Sequence, residues 1–354
     1  MSHFCLLRDA ENYVAHDWDL VQDEQSRKHW LDMFSEHFDH ALKCASANYG
    51  RSAARQIESA RTRFAAVVEQ LRADPKALPG GRLNIMELCR AREKVLRENR
   101  LHDPFGYIKK RENASAAKLY LQVVRKLHAM KGQSKWLHLV ECIFGGNIFD
   151  LGAPMTMHLA TQPTDFLAAV EQTKPRPWFV DDFDRLAQDL PDRPPCKWGK
   201  AVVFIDNAGS DFVLGLMPLM RELALYGTKI VVAANELPCL NDMTADEAVK
   251  VIAELSAIDG DLEAMVNAGM FEVVSTGNDL PLIDLSNVSD ELNEASADAE
   301  LVIIEGMGRA VESNFNAAMT VDTLLLALIK DAAVAQKVGA EMFDCVCKYK
   351  PAGN

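Results

Sequence analysis

No CxxC pair occurs in this chain, although eight cysteines are scattered along it. That spacing argues against a zinc ribbon or a dithiol redox site and reads as reduced thiols in a cytoplasmic protein. Histidine is scarce where the strands lie: of nine, only His158 falls beyond residue 150. A histidine triad in that half is therefore excluded. GxxxxGK[ST] is absent, so there is no P-loop, and GxSxG is absent, so there is no hydrolase elbow. No apolar run approaches the ~18 residues of a membrane span. The opening "MSHFCLLRDAENYVAHDWDL" lacks the basic start and apolar core of a secretory signal. Positive charge is also short, with 38 Lys and Arg against 51 Asp and Glu, a net −13. Nucleic acid and anionic membranes are poor partners for such a chain, although a local basic pocket could hold a small anion.

What is present divides near residue 150. Upstream, "SAARQIESARTRFAAVVEQLRA", "LNIMELCRAREKVLREN" and "ASAAKLYLQVVRKLHAMKG" repeat apolar residues at helical spacing, the last with Gly132 as its expected C-cap. Residues 1–150 read as a helical bundle or cap. Residues 151–354 read as an α/β domain. There "KAVVFID", "TKIVVAAN", "FEVVSTG", "AELVIIEGMG", "VDTLLLALIK" and "MFDCVCKYK" are strands, the last placing Cys345 and Cys347 on one face. Helices alternate with them, one opened by a capping box of Thr244 and Glu247. The pattern predicts a mainly parallel sheet covered on both faces, with "GGNIFDLGAPMT" through "PRPWFVDDFDRLAQDL" joining the halves.

In such a sheet ligands bind beyond the carboxyl ends of the strands. Successive strand ends carry Asp206 and Asn207, then Asn235 with Asp242, then Ser275 and Asn278, then Glu305 and Arg309, then Lys330. One polar residue there is a cap or turn. Five such ends make a mixed rim of oxygen donors and cations, suited to a metal ion and a phosphate together. Asp206, Asn207 and Asp242 offer hard oxygens for Mg²⁺ or Mn²⁺ rather than zinc. Gly306 and Gly308 leave backbone free for an anion nest, and Arg309 could clamp phosphate. Asp211 reads as a helix-start residue. Removing Asp242 is expected to spare the fold, because a rim residue carries little core packing.

Two other readings fail on single residues. A dinucleotide fingerprint through "GMGRAV" would need Gly where Val311 stands, and a haloacid-dehalogenase-like phosphatase would need Asp where Ala208 stands.

The stretches "FIDNAGSD", "ANELPCLNDMT", "STGNDLPLIDLS" and "LVIIEGMGRAVESNF" resemble the metal-dependent damage-control phosphatase family. "EGMGR" looks like the signature of its second subfamily, which includes stand-alone plant enzymes and a domain of pantothenate kinase 4. The likeness runs from "ELCRAREKVLRE" to "CVCKYK"; the first twenty-odd residues depart from it. No kinase region precedes the motifs, so the stand-alone form is expected. The resemblance implies a helical domain on a Rossmann-like three-layer α/β domain. It implies metal ligands at Asp206, Asn207 and Asp242, and phosphatase roles for Glu305, Gly306, Met307, Gly308 and Arg309. Asn147, Asp150 and Lys330 match family positions near the site. It implies Mn²⁺ or Mg²⁺, with Co²⁺ or Ni²⁺ as further candidates. The expected activity is hydrolysis of small phosphorylated metabolites, such as 4′-phosphopantetheine, its oxidised forms or fructose 1-phosphate. Attack by water and attack by Asp206 both stay open. So does a non-catalytic protein that only binds a phosphometabolite.

Overall fold

Helical spacing in the first half folds into α1 (Glu24–Tyr49), α2 (Ala54–Ala73), α3 (Ile85–Glu98), α4 (Gly106–His128) and α5 (Gln133–Ile148) of the computed structural model. The structure describes residues 1–148 and 166–353. Side chains start two of these helices: Asp23 accepts the N–H of Ser26, and Asn84 that of Glu87. Gly132 is not the cap of α4. That helix closes on Ala129, and Gly132, at φ +60°, turns the chain into α5. Nor does "GGNI" begin the connector: it is the last turn of α5.

After α6 (Phe166–Gln172) the chain makes a short edge strand, β1 (Val180–Asp181), inside the segment read as a connector, and then α7 (Phe183–Leu186). The strands β2 (Lys200–Phe204), β3 (Lys229–Ala234), β4 (Phe271–Ser275), β5 (Leu301–Glu305), β6 (Asp322–Leu328) and β7 (Cys345–Lys350) follow. Between them lie α8 (Met217–Leu225), α9 (Ala245–Ser256), α10 (Gly260–Asn267), α11 (Asp290–Ser296) and α12 (Ala332–Val338). The predicted capping box of Thr244 and Glu247 opens α9.

The described strands form one seven-stranded sheet, in the order β1-β7-β6-β5-β2-β3-β4. Every pairing is parallel except β6 with β7. Because the strands are buried on both faces, their residues feed two cores. Val202, Phe204, Val231 and Ala233 pack with side chains of α1, α2 and α3. Ala201, Val203, Ile205 and Val232 pack with α4, α5, α8 and α9, joined by Cys345 and Cys347 from one face of β7. This is the expected Rossmann-like three-layer arrangement, and helices of the first half contribute to both outer layers. The first residues also reach the sheet. Phe4 meets Phe204 edge to face at 5.4 Å, and Ser2 and Leu7 bridge to Val288 and Met319. No described helix is long and apolar enough to cross a membrane.

The strand order reverses at β2: the chain runs from β2 outward to β3 and β4, then returns to β5 on the other side. A crevice opens at such a switch point, beyond the carboxyl ends of the two central strands. Here those strands are β2 and β5, and they deliver Asp206 and Glu305.

Candidate metal and phosphate site

Both central strands are followed by π-helical turns, Asp211–Leu216 after a short loop beyond β2 and Met307–Glu312 just beyond β5. Such wide turns are rare and concentrate at functional sites. The first carries Asp211 at its start; the second carries Arg309. One oxygen from each of Asp206, Asp211 and Glu305 falls within 4.8 Å of the others, and all three residues are buried. Asp211 therefore does more than start a helix. Its carboxylate accepts from the Asn207 side chain at 3.1 Å and from Asn147 at 2.7 Å.

Asn147 comes from α5 and ties the cluster together. Its Nδ2 also donates to Glu305 at 2.5 Å. The last turn of α5 gets this close because it is made of glycine: a Cβ on Gly146 would stand 2.9 Å from the Asp211 Cα. Asn207 donates to Asp206 at 3.0 Å, and its backbone bridges to Asp242.

Arg309 lies at the centre of the other half. Its Nη1 bonds to Asp206, and its Nη2 donates to Asp242 at 3.0 Å and to Asn235 Oδ1 at 3.1 Å. Asn235 in turn donates to Asp242 at 3.2 Å. Burial pulls the guanidinium down to about 9, and Asp206 and Asp242 are its ion-pair partners. Lys330 follows β6, and its backbone N–H donates to the Met307 sulfur at 3.2 Å. Gly306 has φ +98°, and a Cβ there would lie 2.5 Å from the Asp206 Cγ. The chain can pass only as glycine.

The donor set fits a divalent cation. Burial, with Asp211 beside it, pushes the Glu305 carboxyl well above the usual carboxylate range, and the Lys330 charge opposes this only in part. Glu305 Oε2 and Asn147 Oδ1 are buried and accept no hydrogen bond among the described residues. With the Glu305 carboxyl neutral, Asp206, Asp211 and Asp242 against Arg309 and Lys330 leave one negative charge in excess, 3 − 2 = 1, and a cation beside Glu305 would ionise it as well. Buried charge of that kind needs a counterion, and oxygen ligands suit a hard one.

A cavity of 440 Å³ opens over this floor. Asp206, Asn207, Asp242, Gly308 and Lys330 line one side, and α1 and α3 roof it with His29, Trp30, Met33, Phe34 and Arg92. A larger cavity of 640 Å³ lies under residues 7–18 and lacks the acidic trio.

The family described as "Damage-control phosphatase ARMT1-like domain" matches residues 27–346. The chain belongs to this family. A damage-control phosphatase of Arabidopsis thaliana is 39% identical over 90% of this chain and 87% of its own length. Pantothenate kinase 2 of the same plant is 35% identical, over 98% of this chain but 42% of that protein. The mouse 4′-phosphopantetheine phosphatase is 30% identical, over 98% of this chain and 48% of that protein. The chain thus spans less than half the length of the last two. A solved DUF89 family protein from Pyrococcus horikoshii shares the fold, with TM-score 0.59 at 16% identity, covering 90% of this chain and 96% of that one.

Of the residues singled out in the sequence, Asp206, Asn207, Asn235, Asp242, Glu305, Arg309 and Asn147 meet in one hydrogen-bonded group. Gly308, Met307 and Lys330 line the cavity above it. Asp150 lies outside the described residues. The sequence missed two residues: Asp211, hidden by its resemblance to a cap, and Arg92, in a helix whose charged face looks solvated. Asp242 also proves unlike a rim residue. It is 2% exposed and pairs with the fully buried Arg309. Asp242→Ala should cost about 3–5 kcal/mol, because a buried cation loses a partner. Urea unfolding checks this; an unchanged midpoint would restore the rim description.

Proposed function

We propose that this protein is a divalent-metal-dependent phosphatase acting on small phosphorylated metabolites. The observation that carries it is the buried trio of Asp206, Asp211 and Glu305 at the β2–β5 switch point, facing Arg309 and Lys330. Relatives named as phosphatases support it. The Asp206, Asp211 and Glu305 carboxylates would hold the ion, with the Asn207 side chain and Asp242 bordering it. An all-oxygen set of this kind favours Mn²⁺ or Mg²⁺. The ion supplies Lewis-acid charge to the phosphoryl oxygens.

The chain's own groups do the rest. Lys330 and the Gly308 backbone would steady charge on the transferring phosphoryl group, while Arg309 fixes the geometry of Asp206 and Asp242. Asp206 is the carboxylate best placed to take a proton from attacking water or to attack directly. Turnover of a substrate with a chiral phosphoryl group separates the two: inversion at phosphorus marks a single attack by water, and retention marks a phospho-Asp206 intermediate formed and hydrolysed in two displacements. Candidate substrates are 4′-phosphopantetheine, its oxidised forms and sugar phosphates such as fructose 1-phosphate. Eight free thiols support a reducing, cytoplasmic setting.

The test is phosphate release from an aryl phosphate and from 4′-phosphopantetheine with Mn²⁺, Mg²⁺ or Co²⁺, abolished by a chelator. Folded protein that binds these phosphates but releases nothing with any ion would be a phosphometabolite-binding protein instead.

A further inference from the structure

We infer that Arg92 reads the substrate's alcohol portion, by donating to an acceptor oxygen on the part of the ester away from the phosphate. The inference rests on the phosphatase reading and extends it to substrate choice. Arg92 is 1% exposed, yet it lines the cavity above the acidic cluster. It approaches from α3, on the side opposite the strand ends.

Its hydrogen bonding is incomplete. Nε donates to Glu93 at 2.8 Å, which neutralises the charge. Nη2 has only the Cys239 sulfur at 3.3 Å. Burial holds that thiol well above its usual value, so it is a neutral and weak acceptor. Nη1 makes no hydrogen bond among the described residues, and it is not among the buried polar atoms shut off without a partner. A buried guanidinium normally spends its planar fork of donors on oxygen. Here the fork is held rigid from behind, with the Phe34 ring 5.5 Å away, and its free end is presented to the cavity.

Neighbouring groups favour a neutral acceptor. Trp30, Met33 and Phe34 make that end of the cavity apolar, and Glu93 already balances the charge. An amide carbonyl or hydroxyl oxygen meets both conditions. A second phosphate would add an uncompensated charge there. The chemistry named is therefore a phosphomonoester whose body is partly apolar and carries a carbonyl or hydroxyl beyond the ester oxygen.

The experiment compares kcat/KM on two probes, both with Mn²⁺. Phenyl phosphate has no distal acceptor; 4′-phosphopantetheine carries amide carbonyls. Arg92→Met should lose about tenfold or more on the second probe and change little on the first, because a hydrogen-bond donor is lost for one substrate only. Arg92→Lys keeps the charge beside Glu93 but loses the fork, and should show the same selectivity. It carries the test if circular dichroism shows Arg92→Met unfolded. Equal losses on both probes would make Arg92 a support for the Cys239–Asp242 loop and overturn the inference. So would no loss on either, or a wild type that cleaves phenyl phosphate alone. Failure of the wild type to release phosphate from either probe would instead overturn the phosphatase reading.

Discussion

Asp206→Asn should reduce turnover by about 10²–10³-fold or more, the scale expected when a charge-stabilising group at the reacting centre is lost. The substitution keeps the side chain's shape. What it removes is the negative charge that answers Arg309 and completes the trio with Asp211 and Glu305. Mn²⁺ affinity should fall with turnover, since one of three converging carboxylates is gone. Titration calorimetry with Mn²⁺ reads the first effect and steady-state phosphate release the second. A variant within tenfold of the wild type in both would move the centre of the site away from β2. Loss of turnover with metal affinity intact would give Asp206 a purely chemical role and leave the ion to Asp211 and Glu305.

Gly306→Ala should be nearly as damaging by a different route. The added methyl would meet Asp206 at a separation no Cβ tolerates, and its backbone sits at φ +98°, where L-residues are strained. Backbone strain of this kind costs about 1–3 kcal/mol. The larger consequence is displacement of the Asp206 carboxylate from both Arg309 and the trio. Thermal unfolding should show a modest loss of stability while phosphate release drops by about 10²-fold, the order seen when a misplacement of an ångström spoils alignment. A fall in stability without a comparable fall in rate would mean the β5 turn bends away and leaves Asp206 in place.

Much of this site can be read before any coordinates, for a physical reason. Asp206, Asn207, Asn235, Glu305 and Lys330 each stand at or just beyond the end of an apolar run, and in a parallel sheet that position is also a place in space. Strand identity fixes the rim. It does not fix which rim residues touch. Asp242 was legible as an oxygen donor, but its pairing with Arg309 depends on how two separate loops meet. Asp211 does open a helix, as its position suggests; that its carboxylate also meets Asp206 and Glu305 depends on how the turn after β2 lies against β5, which no local pattern shows. Arg92 gave no signal. In "ELCRAREKVLRE" several charged residues share helical spacing, and nothing local marks which one faces the cavity. Gly132 suits the end of one helix and the turn into the next equally well, and the sequence does not choose between them.

The packing of Phe4 on Phe204 bears on the order in which the chain can mature. Their partnership spans most of the route from the first helices to the central strand, and α1 to α5 likewise find their cover on strands synthesised later. During synthesis Phe38 can already stack on Phe64 of α2 and Trp30 meet Trp18, but the side chains that close on the strands, Phe4 among them, must wait for a sheet that does not yet exist. Contacts so distant along the chain close slowly. Closing the N-terminal segment onto β2 is therefore expected to be a late step of folding.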